Sequence, residues 1–294
     1  MKNVLIIGAN SYIGNSFEKY INYKQVRDED LAKDKMIIDK VSASNGDWER
    51  TDFTEYDTIL YLAGIVHQRE KKEREKDYYR VNKDLAIQVA AKAKKHNIKH
   101  FIFMSSASVF GSKATAIKKS TQPLPDTFYG RSKLAAELEI FKLQDSAFRV
   151  AIIRPPMVYG ADCKGNFPKL VKLAKIAPIF PDIQNCRSMI YIDNLCEFLR
   201  VLIACNGSGY YHPQNAYHIC TSNMVKIISD CLEHNIYLTR LFNGMILLLE
   251  KRMHFIKKIF GNKYYELNID NDKIKPDEYQ VFEFKDSIQK SVKR

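Results

Sequence analysis

Long apolar runs are missing from this 294-residue chain. No window approaches the roughly 18 uninterrupted apolar residues of a membrane-spanning helix, which excludes one. Patterned cysteine is missing as well. Cys163, Cys186, Cys196, Cys205, Cys220 and Cys231 form no C-x-x-C pair and match no zinc-ligand spacing, so they read as reduced thiols and no metal is expected. Internal repeats and low-complexity tracts are absent, which excludes solenoid and linker-like architectures. The opening MKNVLIIGANSYIG meets glycine too soon to be a secretion signal, so the first apolar run reads as structure and a cytoplasmic enzyme is expected. Acidic residues are the minority, 34 against 46 Lys and Arg, for a net charge of +12. An excess of this size admits nucleic acid, a membrane surface or anionic small molecules as partners. The bases are scattered and interleaved with acids, however, and read as a solvated lysine-rich surface with no nucleic-acid partner. With 46% hydrophobic and 27% charged residues, a disordered chain is excluded.

What is present is alternation. Residues 4–7 form a short apolar run that predicts a buried strand, and a helical pattern follows through Phe17 to Ile21. Residues 35–41 and 57–63 predict further strands. Residues 85–95 predict a helix leading into a strand at 100–104, and 132–143 a helix leading into a strand at 149–153. Apolar strands alternating with amphipathic helices predict an α/β fold with a doubly wound parallel sheet. Beyond Arg154, prolines at 155, 156, 178 and 181 break the alternation.

The first turn, Gly8-Ala9-Asn10-Ser11-Tyr12-Ile13-Gly14, lies between a strand and a helix. Glycine there permits a sharp turn and close helix packing, and the helix N-terminus offers N–H groups to a pyrophosphate. Ser11 stands where a middle glycine is expected. A Tyr followed four residues later by a Lys places both on one helix face, where the ammonium can lower the phenol's ordinary pKa of ~10. The spacing occurs at Tyr20/Lys24, Tyr79/Lys83 and Tyr129/Lys133. Only the third follows a strand that ends in hydroxyl residues, Ser105 and Ser106, and strand ends of this kind line a ligand crevice. The other two read as chance.

These segments fall in a recognisable order: the Gly8–Gly14 turn, Leu62-Ala63-Gly64, Val81-Asn82, Ser105-Ser106-Ala-Ser-Val-Phe-Gly111, Tyr129-Gly-Arg-Ser-Lys133, Arg154-Pro-Pro-Met-Val-Tyr-Gly160 and Arg187-Ser-Met-Ile-Tyr-Ile-Asp193. Over about residues 1–200 the chain resembles the extended short-chain dehydrogenase/reductases, in their nucleotide-sugar epimerase/dehydratase branch. The resemblance implies a Rossmann domain over 1–156, to which residues near 187–206 return, and a smaller, discontinuous substrate domain over 157–294. It implies Tyr129 as acid/base, Lys133 as its partner and holder of the nicotinamide ribose, and Ser106 as the contact to a substrate hydroxyl. Gly8, Ser11, Tyr12, Ile13 and Gly14 would lie against the pyrophosphate, Leu62, Ala63, Gly64 and Asn82 beneath the dinucleotide, and Pro156 by the nicotinamide. Arg187 would grip the substrate diphosphate through charge-assisted bonds, with Asn166 also in contact with substrate.

Two departures from the pattern stand out. The acid that reads the adenosine ribose is Asp39, or the second strand runs on to Ser42, which carries no carboxylate; NAD and NADP both stay open. Asp47 and Trp48 are candidates beside the adenine, with Trp48 equally readable as core. The region beyond about residue 235 does not match the archetype, and Arg240 is only a guess for a second diphosphate ligand. Residues 245–263 read as a core-packing helix with a basic edge, the other reading being an amphipathic helix on anionic lipid. His67 reads as structural. The expected function is an NAD(P)-dependent 4-epimerase of a UDP-hexose or UDP-N-acetylhexosamine, a homodimer with no integral membrane contact. The alternatives are a 4-ketoreductase of a nucleotide-linked keto sugar and a silent dinucleotide-sensing or RNA-binding protein. A dehydratase is disfavoured, because no acidic pair follows Ser106.

Overall fold

The computed structural model describes residues 1–27, 35–66, 72–250, 252–270 and 274–293. Strand β1 (Lys2–Ile7) leads into helix α1 (Tyr12–Arg27); β2 (Met36–Val41), the short α2 (Asp47–Arg50) and β3 (Thr58–Tyr61) follow. Helix α3 (Glu75–Tyr79) continues through a π-helical stretch, Arg80–Asp84, into α4 (Leu85–Lys95) and β4 (His100–Met104). Next come the two-residue strand β5 (Ala116–Ile117), α5 (Phe128–Phe141) and β6 (Arg149–Ile153). The chain then forms β7 (Met157–Tyr159), α6 (Phe167–Ile176), β8 (Ile179–Pro181), β9 (Met189–Tyr191), α7 (Ile192–Ala204) and β10 (Gly209–Tyr211). The last segment holds α8 (Thr221–Cys231), β11 (Tyr237–Thr239), α9 (Asn243–Glu250), α10 (His254–Phe260), β12 (Tyr264–Tyr265), α11 (Pro276–Tyr279) and α12 (Phe284–Val292).

Six strands form one parallel sheet in the order β10-β6-β4-β3-β1-β2. Strand side chains alternate between faces, and here both faces are covered. Val4, Ile6, Leu60 and Ile102 share one apolar cluster with Phe17 and Ile21 of α1 and Leu195 and Leu199 of α7. Leu5, Ile7, Ile59 and Tyr61 share the other with Val89 of α4 and Ile140 of α5. Double coverage is why these strands read as continuous apolar runs rather than alternating ones. The sheet is completed by β10, whose Tyr211 carbonyl accepts from the Arg154 N–H at 2.8 Å. The return to the sheet thus runs a few residues past 206.

The remaining strands pair outside the main sheet: β7 with β9, β8 with β11 and β5 with β12. Tyr20 and Lys24 bond Glu197 of α7 at 2.9 and 2.6 Å, so this Tyr/Lys pair fastens one helix to another. Trp48 is core, packed with Leu5 and Phe53. The expected single helix over 245–263 is instead two short helices, α9 and α10, and only Ile246 of α9 is buried. The core-packing reading of that segment therefore fails for α9. Among the described residues, no helix is long and apolar enough to cross a membrane.

Candidate active site

The C-terminal ends of β1, β2 and β3 meet around the first turn. Ser11 caps α1, its hydroxyl accepting from Gly14 N at 3.1 Å and its carbonyl from Asn15 N at 2.9 Å. The first N–H groups of a helix have no partner within the helix. Those of Tyr12 and Ile13, the first two residues of α1, are of this kind. The Tyr12 phenol is engaged elsewhere, donating to the Ala161 carbonyl at 2.9 Å. Gly8 has φ +121°, a conformation open to glycine, and a Cβ there would stand 3.0 Å from Ala63 N. A Cβ on Gly14 would meet Ile6 and Leu62 at 3.2 Å. Ser11 in place of glycine is thus accommodated as a cap, while the two retained glycines sit where the backbone is tight.

Leu62, Ala63 and Gly64 bridge this turn to the catalytic candidates. A Cβ on Gly64 would come within 3.0 Å of Asn82 Oδ1 and 3.4 Å of Lys133 Nζ. Asn82 is fully buried. It accepts from Ile65 N at 2.7 Å and donates to Ser132 Oγ at 3.1 Å, and Ser132 donates to the Tyr129 carbonyl at 2.9 Å. The π-helical stretch brings this carboxamide between β3 and α5.

Helix α5 begins four residues earlier than the apolar periodicity predicts. The Thr127 hydroxyl accepts from Gly130 N at 3.0 Å and caps the helix, which puts Tyr129 in the first turn and Lys133 one turn on. Burial lifts the half-buried Tyr129 phenol to about 12; a hydrogen bond with Ser106 works the other way, and Glu137 and Tyr78 add to the rise. Burial pulls Lys133 down to about 7, opposed by Glu137. The expected lowering of the phenol by Lys133 is not seen. The ammonium takes the nearest acceptor, the Met104 carbonyl at 2.8 Å, and lies 4.6 Å over the Phe103 ring.

Beneath this pair runs a network that the motif reading missed. Glu137, fully buried, accepts from Arg154 Nη2 at 2.7 Å and Nε at 3.1 Å, and the Ser105 hydroxyl donates to it as well. Its spacing was the available signal, eight residues after Tyr129 and four after Lys133 on one helix face.

A cleft opens between Pro156, Met157, Arg187, Lys263 and Tyr265. Arg187 donates to the Gly261 carbonyl at 2.9 Å, and burial lowers its pKa. Lys263 donates to the Gly111 carbonyl at 2.6 Å; burial brings it down to about 8, Asp126 opposes the fall and Arg187 adds to it. Lys263 carries no local signal: a backbone bridge to Arg187 brings it here, Lys263 N donating to the Cys186 carbonyl at 3.0 Å and Ser188 N to the Lys263 carbonyl at 3.1 Å. Arg240 does not reach the cleft: it is exposed and paired with Asp182 at 3.0 Å. Asn166 is exposed at the start of α6 and does not line the cleft. Strand β2 runs on to Val41, whose carbonyl accepts from Gly8 N at 2.9 Å and Ala9 N at 3.1 Å. Ser42 therefore borders the first turn. Asp39 lies mid-strand, exposed, and accepts from Tyr56 Oη at 3.0 Å. His67 lies outside the described residues.

The model of the NAD dependent epimerase/dehydratase family matches residues 4–209. The chain belongs to this family. It is 30% identical over 270 residues to a UDP-glucose 4-epimerase of Vibrio cholerae, covering 85% of this chain and 76% of that protein. It is 24% identical over 285 residues to the N-acetyl-alpha-D-glucosaminyl-diphospho-ditrans,octacis-undecaprenol 4-epimerase of Escherichia coli O157:H7, covering 89% and 82%. A dTDP-4-dehydrorhamnose reductase of Clostridium acetobutylicum shares the fold, with TM-score 0.71 and 15% identity over 99% of this chain and 98% of that one. As a member of the epimerase/dehydratase family the protein is an enzyme that works with NAD or NADP. The glycine turn, the two first-turn amides and Lys133 beside Gly64 fit such a dinucleotide. When bound, it supplies a hydride acceptor and donor.

Proposed function

We propose that this protein is a nucleotide-sugar 4-epimerase acting on a UDP-hexose or UDP-N-acetylhexosamine. The observation that carries the reading is the cluster of Ser106, Tyr129 and Lys133, joined through Gly64 and Ala63 to the Gly8 turn. Sequence likeness to the Vibrio UDP-glucose 4-epimerase over most of both chains favours epimerase over reductase. In this reading Ser106 orients the sugar hydroxyl and Tyr129 takes and returns its proton. Lys133 and Asn82 hold the nicotinamide side of the dinucleotide, Ser42 or Asp39 stands near its adenosine end, and Arg187 with Lys263 bind the substrate diphosphate.

An epimerase reduces and reoxidises its cofactor within one turnover, so nothing requires the cofactor to leave. The purified protein is expected to carry dinucleotide through gel filtration and to interconvert UDP-glucose and UDP-galactose, or their N-acetyl forms, without added reductant. A protein that emerges empty and consumes NADH or NADPH stoichiometrically with a 4-keto sugar is a ketoreductase instead.

Arg187→Ala is expected to weaken UDP-sugar binding by about 1.5–3 kcal/mol, the scale of a hydrogen bond to a charged group. Lys263→Ala is expected to act in the same direction, and neither should alter dinucleotide retention. Calorimetric titration with the UDP-sugar reads both. Unchanged affinity in Arg187→Ala would put the diphosphate elsewhere.

A further inference from the structure

Helix α9 is built the wrong way round for a core helix. Of its residues Ile246 alone is buried, while Met245 and Leu248 are 57% and 63% exposed, and Leu241 in the turn before the helix is 81% exposed. Leu247 and Met253 beside them are about half exposed, at 48% and 46%. A contiguous apolar face of this kind is uncommon on a soluble monomer and marks an interaction surface.

Charge says what the surface suits. After Glu250, the last residue of α9, the described basic residues up to α10's end are Arg252, Lys257 and Lys258, with no further acid. Arg252 and Lys258 are exposed next to the apolar face. Apolar side chains rimmed by lysine and arginine match a bilayer interface, where the first enter the acyl boundary and the second meet anionic headgroups.

We infer that α9 and its basic flank dock the enzyme on an anionic lipid bilayer. The docking face adjoins the cleft. A Cβ on Gly261 would stand 3.1 Å from Glu250 Oε1 at the end of α9, and the Gly261 carbonyl accepts from Arg187. On the reading proposed above, which this consequence rests on, the diphosphate grip then lies beside the membrane. Sugar diphosphates anchored in lipid would be presented to it there.

The test is co-sedimentation of the full chain with vesicles of phosphatidylglycerol and phosphatidylethanolamine, and with vesicles of phosphatidylcholine alone. Wild type is expected to pellet with the anionic vesicles and to be released as salt screens the headgroups. Met245→Glu/Leu248→Glu, at exposed positions, should reduce the bound fraction on the order of tenfold while UDP-sugar turnover stays unchanged. Arg252→Glu/Lys258→Glu should weaken binding to the anionic vesicles. Wild type that stays in the supernatant overturns the proposal, as does a glutamate variant that pellets like wild type. A dimer, seen by light scattering and split by Met245→Glu/Leu248→Glu without vesicle binding, overturns it in favour of a second copy on this face. Vesicle binding by a protein that turns over no UDP-sugar would sink the proposed activity and leave the docking surface standing.

Discussion

Tyr129→Phe is expected to lower turnover of the UDP-sugar by roughly 10²–10⁴-fold, the contribution of a positioned acid/base. The substitution removes one oxygen and keeps the ring, so α5 and its Thr127 cap should be undisturbed. Dinucleotide retention should persist, because Lys133 is held by the Met104 carbonyl rather than by the phenol. The loss should appear in kcat at saturating substrate. Tyr79→Phe, at the end of α3, is the control and should change little. Turnover in Tyr129→Phe equal to wild type would remove this tyrosine from the chemistry.

The second large effect lies one layer deeper. Glu137→Ala leaves the Arg154 guanidinium, itself only 8% exposed, without the carboxylate that takes three of its hydrogen bonds. Breaking a buried pair by removing one partner costs about 3–5 kcal/mol, chiefly because the surviving charge stays buried. Arg154 also lies 4.4 Å from the Tyr210 ring and 5.1 Å from the Phe110 ring, and those contacts do not replace a counter-charge. Urea unfolding should show the loss as a lower midpoint. Glu137→Gln, which keeps the shape and hydrogen-bonding oxygen, should lose less. A loss below about 1 kcal/mol in Glu137→Ala would mean that Arg154 reaches solvent or another partner.

The elements that the sequence revealed best are those whose burial is uniform or strictly periodic. Residues 85–95, 100–104 and 149–153 are the observed α4, β4 and β6 to the residue, because a strand covered on both faces and a helix covered on one leave unmistakable patterns. Helix α5 was misjudged at its start, where Thr127 and Gly130 set the boundary by a capping bond rather than by hydrophobic spacing. The C-terminal region was less legible for a different reason. Strands β5 and β12 are two residues each and pair across more than a hundred positions, so no local pattern announces them, and Lys263 meets Arg187 only through an isolated backbone bridge 76 residues apart in sequence. Residues 245–263 misled because apolar content alone cannot say which side of a helix meets the core. Among the site candidates, the ordered motifs led to Ser106, Tyr129, Lys133 and Asn82 together, but the carboxylate expected for the adenosine ribose depended on where β2 stops.

The late arrival of β10 has a consequence for how the protein is made. Once β6 has emerged from the ribosome, its outer edge and the Arg154 N–H have no strand to pair with until Tyr211 follows. At roughly 5–20 residues per second the nascent chain carries that apolar edge for several seconds. An unpaired buried-type strand is a template for edge-to-edge association between neighbouring nascent chains on one message. The three residues of β10 therefore act as a closing seam, and a fragment ending near residue 156 would keep the seam open for good.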